Sequence, residues 1–177
     1  MAKDRTNIRI YGDDASGVWV APKGTTGPTT LAAPGVGFVE LGWLSEDGID
    51  LARDANKVEF NAFQGGTVVR TKKTSVKDTF KFVCLEETAV TMGLAYAGVT
   101  ATTATGVDTF AITNQTASDE RAWVADLVDG TITKRIVAPS GEAELTGTIA
   151  HKNSDMTMLE FTVTILGDYE ILKTAAA

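Results

Sequence analysis

Apolar and polar residues alternate with a period of two along much of this chain, and the second half shows the pattern most clearly. From Leu159 to Ile165 every second residue is apolar, and the residues between them are Glu or Thr. The same alternation runs from Phe80 to Cys84. Successive side chains of a β-strand point to opposite faces, so this pattern predicts strands with one buried and one polar face.

Turn residues divide the rest of the chain into further short strands. Asp129-Gly130 separates two apolar runs, which predicts a β-hairpin between residues 120–128 and 131–138. Pro139-Ser140-Gly141 predicts the following turn, and Asp47-Gly48 predicts another hairpin turn. The other predicted strands cover residues 7–11, 38–44, 49–53, 58–63, 67–73, 77–85, 107–113, 142–152, 156–166 and 169–172, with a break at 64–66 and a turn at 74–76.

One segment has the periodicity of a helix instead of a strand. Leu85, Ala89, Met92 and Tyr96 follow the spacing of one helix face, which predicts a helix over residues 86–97. No linker divides the chain. The predicted fold class is therefore mainly β: an antiparallel β-sandwich or open barrel with one flanking α-helix, in a single domain over residues 37–177.

The first 36 residues lack this patterning. Three of the four prolines of the chain, Pro22, Pro28 and Pro34, lie here among Gly and Thr residues, which predicts an extended N-terminal arm over residues 1–36. Trp19 is an apolar residue within this arm. Two interpretations are open: a floppy terminus, or an arm that becomes ordered on a neighbouring subunit. The tryptophan favours the second interpretation.

Composition narrows the class of protein. The 177 residues carry a net charge of −7, whereas a protein that binds nucleic acid by neutralising phosphates is normally basic. No apolar run approaches the ~20 residues of a membrane-spanning helix, and the N-terminus has no apolar signal core. We therefore expect neither a membrane anchor nor Sec-type export. The single cysteine, Cys84, excludes an intrachain disulfide.

The sequence contains no constellation that is typical of catalysis. His151 is the one histidine, and no serine-nucleophile motif accompanies it. Neither a Walker motif nor a complete dinucleotide-binding loop occurs. Asp47, Asp50 and Asp54 do not have the spacing of an EF-hand calcium loop, so a solvated turn is the better interpretation. We therefore expect no enzyme activity, no metal site and no cofactor.

Charge is arranged in blocks of opposite sign. Between Glu40 and Phe60 there are six acidic and two basic residues, and between Arg70 and Lys81 there are five basic residues and one acidic residue. From Ala138 onward six acidic residues accompany two basic ones. Separated blocks let copies of one chain attract each other head to tail, and such a contact produces a filament if it does not close into a ring. The alternative that the sequence leaves open is a set of solvated loop faces.

Three segments resemble the major tail tube proteins of long-tailed, siphovirus-type bacteriophages, especially those of actinobacterial phages. They are GWLSEDGI at residues 42–49, FQGGTVVR at 63–70 and TFKFVCLEE at 79–87. The resemblance implies a β-sandwich subunit with a flanking helix, a fold shared with the tubes of contractile tails and of type VI secretion. It further implies hexameric rings that stack into a hollow tube, through which phage DNA passes into the host.

The resemblance also assigns roles to two surfaces. Residues 70–77 correspond to the tip of a hairpin that reaches the adjacent ring, and residues 1–36 correspond to a terminal arm. The residues expected at contacts between subunits or rings are Trp19, Asp47, Asp50, Asp54, Arg70, Lys72, Lys73 and Lys77. We also expect polar, acidic strand faces to line the bore, where they repel phosphates. The candidate lumen-lining acids are Glu142, Glu144 and Glu160.

The expected partners are further copies of the chain, together with the tape measure, tail terminator and baseplate proteins of a tail. DNA is expected to pass through the lumen without specific binding. The expected location is the virion tail, assembled in the cytoplasm of the host bacterium. Two alternatives stay open: another phage structural protein, for head decoration or head–tail joining, and a β-sandwich binding module. The binding module requires an exposed aromatic platform, and aromatic residues make up only 7% of the chain.

Overall fold

A computed structural model describes residues 3–113 and 118–175 of the chain. These residues form an antiparallel β structure with one α-helix, which confirms the predicted fold class. The strands are β1 (Gly17–Pro22), β2 (Val39–Glu40), β3 (Leu44–Asn61), β4 (Val68–Cys84), β5 (Thr102–Ala104), β6 (Val107–Thr109), β7 (Glu120–Asp129), β8 (Ile132–Leu145), β9 (Leu159–Ile165) and β10 (Glu170–Lys173). The helix is α1 (Ala89–Ala95), and a 3₁₀ turn covers Arg5–Asn7.

Eight strands form one sheet, with β5 and β6 as a separate small hairpin. Its main path runs in the order β2-β1-β7-β8-β9-β4-β3, and β10 joins it beside β8. Strand β8 has 14 residues, and this length lets two strands pair with the same edge. Strand β10 pairs with residues 134–137 of β8, and β9 pairs with residues 141–145. Strand β7 occupies the other edge of β8. The sheet curls around a core, as in a β-sandwich or open barrel.

The core contains the aromatic residues of three strands. Phe80 and Phe82 of β4 contact Trp123 of β7, and Phe82 also contacts Phe161 of β9, with ring centroids 5.6–6.2 Å apart. The indole Nε1–H of Trp123 donates to the carbonyl oxygen of Gly141 at 3.0 Å, so its one polar group is satisfied inside the core. The alternation seen in the sequence of β4 and β9 therefore places these rings on one buried face.

The helix is shorter than the predicted range 86–97. Thr88 is its N-cap, and a capping box joins the side chains and backbones of Thr88 and Thr91. The helix ends where the N–H of Gly98 donates to the carbonyl of Gly93 at 2.8 Å, and Gly98 has a φ of 80°. The helix begins after Thr88 and not at Glu86, because the Thr88 hydroxyl accepts a hydrogen bond from a backbone N–H of the first turn.

The predicted N-terminal arm over residues 1–36 needs a correction. Residues 17–22 are strand β1, which pairs with β7 from Gly17↔Asp126 to Pro22↔Arg121. Its Val18 side chain is fully buried. The strand predicted at residues 7–11 is absent, since residues 8–13 have no regular structure. Strand β1 thus belongs to the body of the protein, although prolines follow it closely in the sequence.

The segment after β1 lies on the outer face of the same sheet. One Nη of Arg135 donates to the carbonyl oxygens of Thr30 and Ala32 at 2.7 and 2.6 Å. The Nε and the other Nη of Arg135 donate to the carboxylate of Asp126 at 2.7 and 2.6 Å. Both charged side chains are buried. Arg135 therefore fastens residues 30–32 to the subunit from which they come.

Residues 44–84 differ most from the prediction. The predicted short strands are instead two long strands, β3 and β4, which form a single hairpin with its turn at residues 62–67. The predicted turn at Asp47-Gly48 lies inside β3, where the register shifts between Leu44↔Cys84 and Ile49↔Phe82. The φ of Gly48 is 73°, so this Asp-Gly pair produces a bulge and not a hairpin turn.

The second half of the chain follows the prediction more closely. The hairpin across Asp129-Gly130 is confirmed by β7 and β8, and the predicted pairing of the next two strands is confirmed by β8 and β9. Strand β10 confirms the predicted terminal strand. Pro139-Ser140-Gly141, however, is not a turn: these residues continue β8, with a register shift opposite Ala122. Strand β6 ends at Thr109, and β8 ends at Leu145, both earlier than predicted.

Candidate assembly surfaces

The outer part of the β3–β4 hairpin projects beyond the rest of the sheet. Strand β9 pairs with β4 only over residues 79–84, and β3 has no partner except β4 among the described residues. We call residues 53–78 the projecting hairpin. Both of its outer edges therefore carry backbone groups that no strand of the described chain pairs with. Free strand edges of this length are templates for pairing with another chain.

The projecting hairpin exposes apolar side chains along its length and at its turn. Phe63 at the turn is 100% exposed and Phe60 is 49% exposed. The other exposed apolar residues of this hairpin are Val58, Val68, Val69 and Val76. Six exposed apolar residues concentrated on one projecting element indicate an interaction site. This apolar surface makes the projecting hairpin the strongest candidate for a contact between subunits.

The structure corrects the prediction of separate acidic and basic blocks. The two blocks lie on β3 and β4 of one hairpin, where Asp50 is opposite Lys81 and Asp54 is opposite Lys77. Arg53 Nε lies 3.4 Å from the carboxylate of Asp78 in the same region. Opposite charges at facing positions stabilise a strand pair. Near the body of the protein the blocks therefore neutralise each other within one subunit, so they cannot serve as separate patches there.

The basic residues farther out have no acidic partner opposite them. Arg70 faces Phe60, Lys72 faces Val58, and Lys73 faces Lys57 across the hairpin. These residues stand along strand β4, while the turn of the hairpin is at residues 62–67. The predicted tip at residues 70–77 is therefore displaced along the chain. The outer half of the hairpin, residues 57–73, combines four basic residues and one acidic residue with the exposed apolar side chains.

Two of the other predicted contact residues have local roles. Trp19 is half-buried in β1, between Glu40 of β2 and Val124 of β7. A Cβ atom at Gly17 would lie 3.1 Å from the indole, so this glycine leaves room for the ring. Asp47 accepts a hydrogen bond from the hydroxyl of Ser45 at 3.1 Å in the bulge of β3. Trp19 is thus a residue of the sheet rather than of a free arm.

The three predicted lumen acids share one polar face of the sheet. Glu142 is opposite Thr164, Glu144 is opposite Thr162, and residues 160, 162 and 164 alternate with the buried residues of β9. We call this surface the threonine–acid face. It comprises Thr79 and Lys81 of β4, Glu142 and Glu144 of β8, and Glu160, Thr162 and Thr164 of β9.

One of these acids is neutralised within the subunit. Lys81 Nζ lies 2.6 Å from Glu160 Oε1. This hydrogen bond is the main cause of a raised pKa for Lys81 and of a lowered pKa for Glu160. Glu142 accepts a hydrogen bond from the hydroxyl of Ser118, and Glu144 has no basic residue paired with it in the described chain. The free negative charge of this face is therefore carried by Glu142 and Glu144.

Other candidate chemistry is limited in the described residues. His151 is exposed, with Nδ1 3.9 Å from Glu87. Burial raises the pKa of the Cys84 thiol to about 12, with a smaller contribution from the nearby Glu86 carboxylate. Residues 3–113 and 118–175 contain no group of three or more His, Cys, Asp or Glu side chains placed to hold a metal ion. They also contain no helix that is long and apolar enough to cross a membrane.

Sequence reasoning missed one exposed aromatic residue. Trp43 is 71% exposed, although its neighbours Leu41 and Leu44 pack into or against the core. Its N–H donates to Glu86 Oε1 at 2.8 Å, and its carbonyl accepts from the N–H of Leu85 at 2.9 Å. These bonds hold the backbone while the indole remains in solvent. The sequence places Trp43 inside the predicted strand 38–44, whereas the structure ends β2 at Glu40 and begins β3 at Leu44, so Trp43 lies between two strands.

A curled antiparallel sheet with free strand edges and an apolar projecting hairpin is typical of a structural subunit that associates with other subunits. A family model described as "Phage tail tube protein" matches residues 1–176, and the chain belongs to this family. No curated protein matches the chain. The protein is therefore a structural component of the phage tail, where it assembles with other tail proteins, and the family is not one of enzymes.

Proposed function

We propose that six copies of this protein form a ring and that the rings stack into the hollow tube that conducts phage DNA into the host. The tail is of the long, siphovirus type, and the host is an actinobacterium, as the resemblance of residues 42–49, 63–70 and 79–87 implies. Assembly takes place in the host bacterial cytoplasm. The observation that carries the proposal is the projecting hairpin, which exposes apolar side chains far from the core.

When rings stack, the exposed apolar side chains of the projecting hairpin can pack against a neighbouring subunit. Fully burying a side chain such as Val or Phe contributes ~1.5–3 kcal/mol relative to leaving it in water. Phe60, Phe63 and Val69 are each about half exposed or more in the single subunit, so contact with a neighbour removes much of this area from water. In the proposed tube the hairpin meets a different surface of its neighbour, so the contact is heterologous and repeats from ring to ring. Such a contact produces a tube of indefinite length.

The threonine–acid face is the surface that we assign to the bore. Hydroxyl groups of Thr162 and Thr164 present no positive charge to which phosphates bind, and Glu142 and Glu144 repel phosphates. Screening limits this repulsion to about 8 Å at physiological salt, so only residues that face the bore contribute. The net charge of −7 per chain has the same sign as DNA. DNA thus slides past without specific binding.

The remaining partners follow from the position of a tube in a tail. The proposed partners are a tape measure protein, a tail terminator protein and a baseplate protein. The family supports the tail tube over the alternatives of head decoration, head–tail joining and a binding module. We assign these three partners to the open ends and to the inner face of the tube.

Negative-stain electron microscopy of the purified, full-length protein tests this proposal. We expect long hollow tubes from the wild type. Replacing Phe60 and Phe63 together by Asp should leave folded monomers and abolish the tubes, because charged groups do not enter an apolar contact. Ile112→Asp is the matched control, since Ile112 is also more than half exposed but lies outside the hairpin. Wild-type protein that stays monomeric, or tubes that survive both hairpin substitutions, would contradict the proposal.

A further inference from the structure

A cleft of about 530 Å³ opens beside the base of the β3–β4 hairpin. Its walls come from the segment before β1, from the start of β3 and from the residue Glu86 ahead of the helix. The exposed indole of Trp43 lies among the lining residues, with Leu44 and Ile49 as further apolar contributions. The cleft therefore offers an aromatic and apolar surface that is open to a partner.

The same cleft is strongly acidic. Its lining carboxylates are Asp13, Asp14, Glu40, Glu46, Glu86 and Asp126, and no Lys or Arg of the described chain lines it. Asp126 is neutralised by Arg135, and Glu86 accepts from the backbone of Trp43. Asp14 and Glu46 are exposed and form no salt bridge with a described residue. A partner for this cleft therefore carries positive charge together with apolar side chains.

A glycine shapes the aromatic side of the cleft. Gly42 has a φ of 81°, a conformation that other residues adopt at a cost. A Cβ atom at this position would also lie 2.5 Å from the carboxylate of Glu86, which holds the Trp43 backbone. The absence of a side chain at Gly42 lets Glu86 approach, and this contact fixes the position from which the indole extends.

The outer half of the projecting hairpin has the matching properties. On one of its faces Phe60 lies opposite Arg70, and Val58 lies opposite Lys72. Apolar and basic side chains are therefore mixed on a single face, as the acidic, aromatic cleft requires. Apolar contact supplies affinity in such an interface, and charge complementarity supplies orientation and selects the partner.

A subunit cannot insert this face into its own cleft. Strand β3 runs without interruption from the cleft residue Ile49 to Phe60, and at ~3.3 Å per residue this distance is roughly 35 Å. The two surfaces thus lie at opposite ends of one continuous hairpin. A second copy is required to bring them together, and the contact joins two different surfaces of the chain.

We propose that the acidic cleft at Trp43 receives the outer half of the projecting hairpin, residues 57–73, from a second copy of this chain. The proposal rests on the proposed tube and names the surface that accepts the hairpin. Arg70 and Lys72 approach Asp14 and Glu46, while Phe60 and Val58 contact the indole of Trp43. A guanidinium over the face of an indole adds a further favourable contact.

Charge reversal on each side, followed by their combination, tests this pairing. Asp14→Lys with Glu46→Lys should raise the protein concentration needed for tube formation by about tenfold or more, because like charges across an interface oppose association. Arg70→Glu with Lys72→Glu should do the same. All four substitutions together should restore tubes, since the charges are again complementary. The matched control is Asp155→Lys with Asp108→Lys, which makes the same charge change at exposed residues outside the cleft.

The outcomes of this experiment distinguish a failure of the proposed tube from a failure of the proposed contact between hairpin and cleft. Circular dichroism of the monomers first confirms that every variant is folded. If the wild type forms no tubes, the proposed function fails. If the wild type forms tubes and the cleft variant forms them equally well, or the fourfold variant stays monomeric, the tube stands and the cleft is not the surface that accepts the hairpin. Restoration by the fourfold variant supports the pairing.

Tryptophan fluorescence gives an independent measurement on the same protein. Trp43 is the most exposed of the three tryptophans, since Trp123 is buried and Trp19 is half-buried. Its emission should shift to shorter wavelength when wild-type tubes form, because the hairpin of a neighbour removes the indole from water. Trp43→Phe should remove this shift. An emission maximum that does not move on assembly would overturn the proposal.

Discussion

Arg135 is the residue that joins the N-terminal segment to the sheet. Its guanidinium uses one side for Asp126 and the other for the carbonyls of Thr30 and Ala32, so its donors are satisfied in a buried position. A bidentate pair of this kind has a fixed geometry that a lysine cannot reproduce. The fold thereby positions residues 28–34 without any strand, and the proline-rich segment needs no regular structure to stay on its own subunit.

Replacing Arg135 by Met should destabilise the monomer by about 3–5 kcal/mol, because it leaves the Asp126 carboxylate buried without a partner. Urea denaturation followed by circular dichroism measures this loss. Arg121→Met is the control: Arg121 pairs with Asp119 in a more exposed position, and such pairs contribute ~1 kcal/mol or less. An equal loss in the free energy of unfolding for the two variants would show that the buried pair of Arg135 and Asp126 stabilises the monomer no more than the exposed pair does.

Cys84 should be chemically inert in the folded protein. Burial raises the pKa of its thiol from 9.0 to about 12, so almost no thiolate is present at pH 8. We expect no reaction with a thiol-specific reagent at this pH until urea unfolds the chain, and then one reactive group per chain. The folded state holds this proton more tightly than the unfolded state, so the contribution of Cys84 to stability falls as the pH rises above about 9. Rapid labelling in buffer alone would contradict the buried position.

At the scale of elements, the sequence predicts those strands that have one buried and one exposed face. Strand β9 alternates because the core covers one of its faces and solvent the other, and the β7–β8 hairpin has an Asp-Gly turn between apolar runs. Strand β1 was missed because prolines and glycines surround it, although the apolar run Val18–Ala21 was visible. Here packing against β7 overrides the local turn signals.

The long hairpin was divided incorrectly for a physical reason. Beyond residue 53 both of its faces are exposed in the single subunit, so selection for a core imposes no alternation there. The turn at Gly65-Gly66 was interpreted as a break, and the bulge at Gly48 as a turn. All three glycines have positive φ, but sequence alone does not distinguish a turn from a bulge. The resemblance implied a projecting hairpin, and the strand register is what located its turn.

The sequence shows the charges of the candidate contact residues, but it does not show which of these residues lie opposite each other. The acidic and basic blocks are real features of the sequence, but their pairing across β3 and β4 depends on register, which the sequence did not give. The outer residues Arg70 and Lys72 have no acidic residue opposite them, and Glu46 of the acidic block forms no salt bridge with a described residue. The cleft at Trp43 was not predicted, because its lining residues are far apart in the chain and meet only in the fold.

Shortening the hairpin should separate folding from assembly. Asn56 and Ser75 are opposite each other, so residues 57–74 can be replaced by Asn-Gly, which forms a tight hairpin turn. The removed residues contribute no side chain to the core, so the thermal midpoint of the monomer should change by only a few degrees. Tube formation should be lost in electron micrographs. Tubes formed by the shortened protein would show that the hairpin is dispensable.

At the scale of the whole molecule, the protein consists of a packed body and a long exposed hairpin. The buried residues of β1, β4, β7, β8 and β9 form one cluster, and no residue of the projecting hairpin belongs to it. The body therefore has a core of its own, and in the proposed tube the hairpin finds its packing partners in another copy. We expect this division to let single subunits accumulate before they are incorporated into the tube.

The charge of the bore should control the passage of DNA. Replacing Glu142 and Glu144 by Lys turns the threonine–acid face positive, so phosphates bind to it and genome ejection slows. The measurement is the rate of DNA release from phage particles with tubes that are intact in micrographs. The control is again Asp155→Lys with Asp108→Lys, an equal charge change away from this face. Unchanged ejection from intact tubes would show that this face does not line the bore.

Hydrogen exchange on monomers and tubes should show which parts become ordered on assembly. In the monomer, amides of residues 57–73 should exchange fast, because their hairpin has free edges and no core beneath it. In the tube they should become protected. Strand β1 is the internal control: it pairs with β7 inside one subunit, so residues 17–22 should be protected in both states.

The same measurement decides whether the N-terminal segment moves to a neighbour. Residues 30–32 are fastened by Arg135 in the single subunit, so we expect the protection of this segment to change less than that of residues 57–73. Ordering of the hairpin costs conformational entropy, and this cost opposes spontaneous polymerisation until a growing end offers a complete binding surface. Equal protection of residues 57–73 in monomer and tube would show that the hairpin is rigid before assembly. The barrier to polymerisation would then lie elsewhere in the subunit.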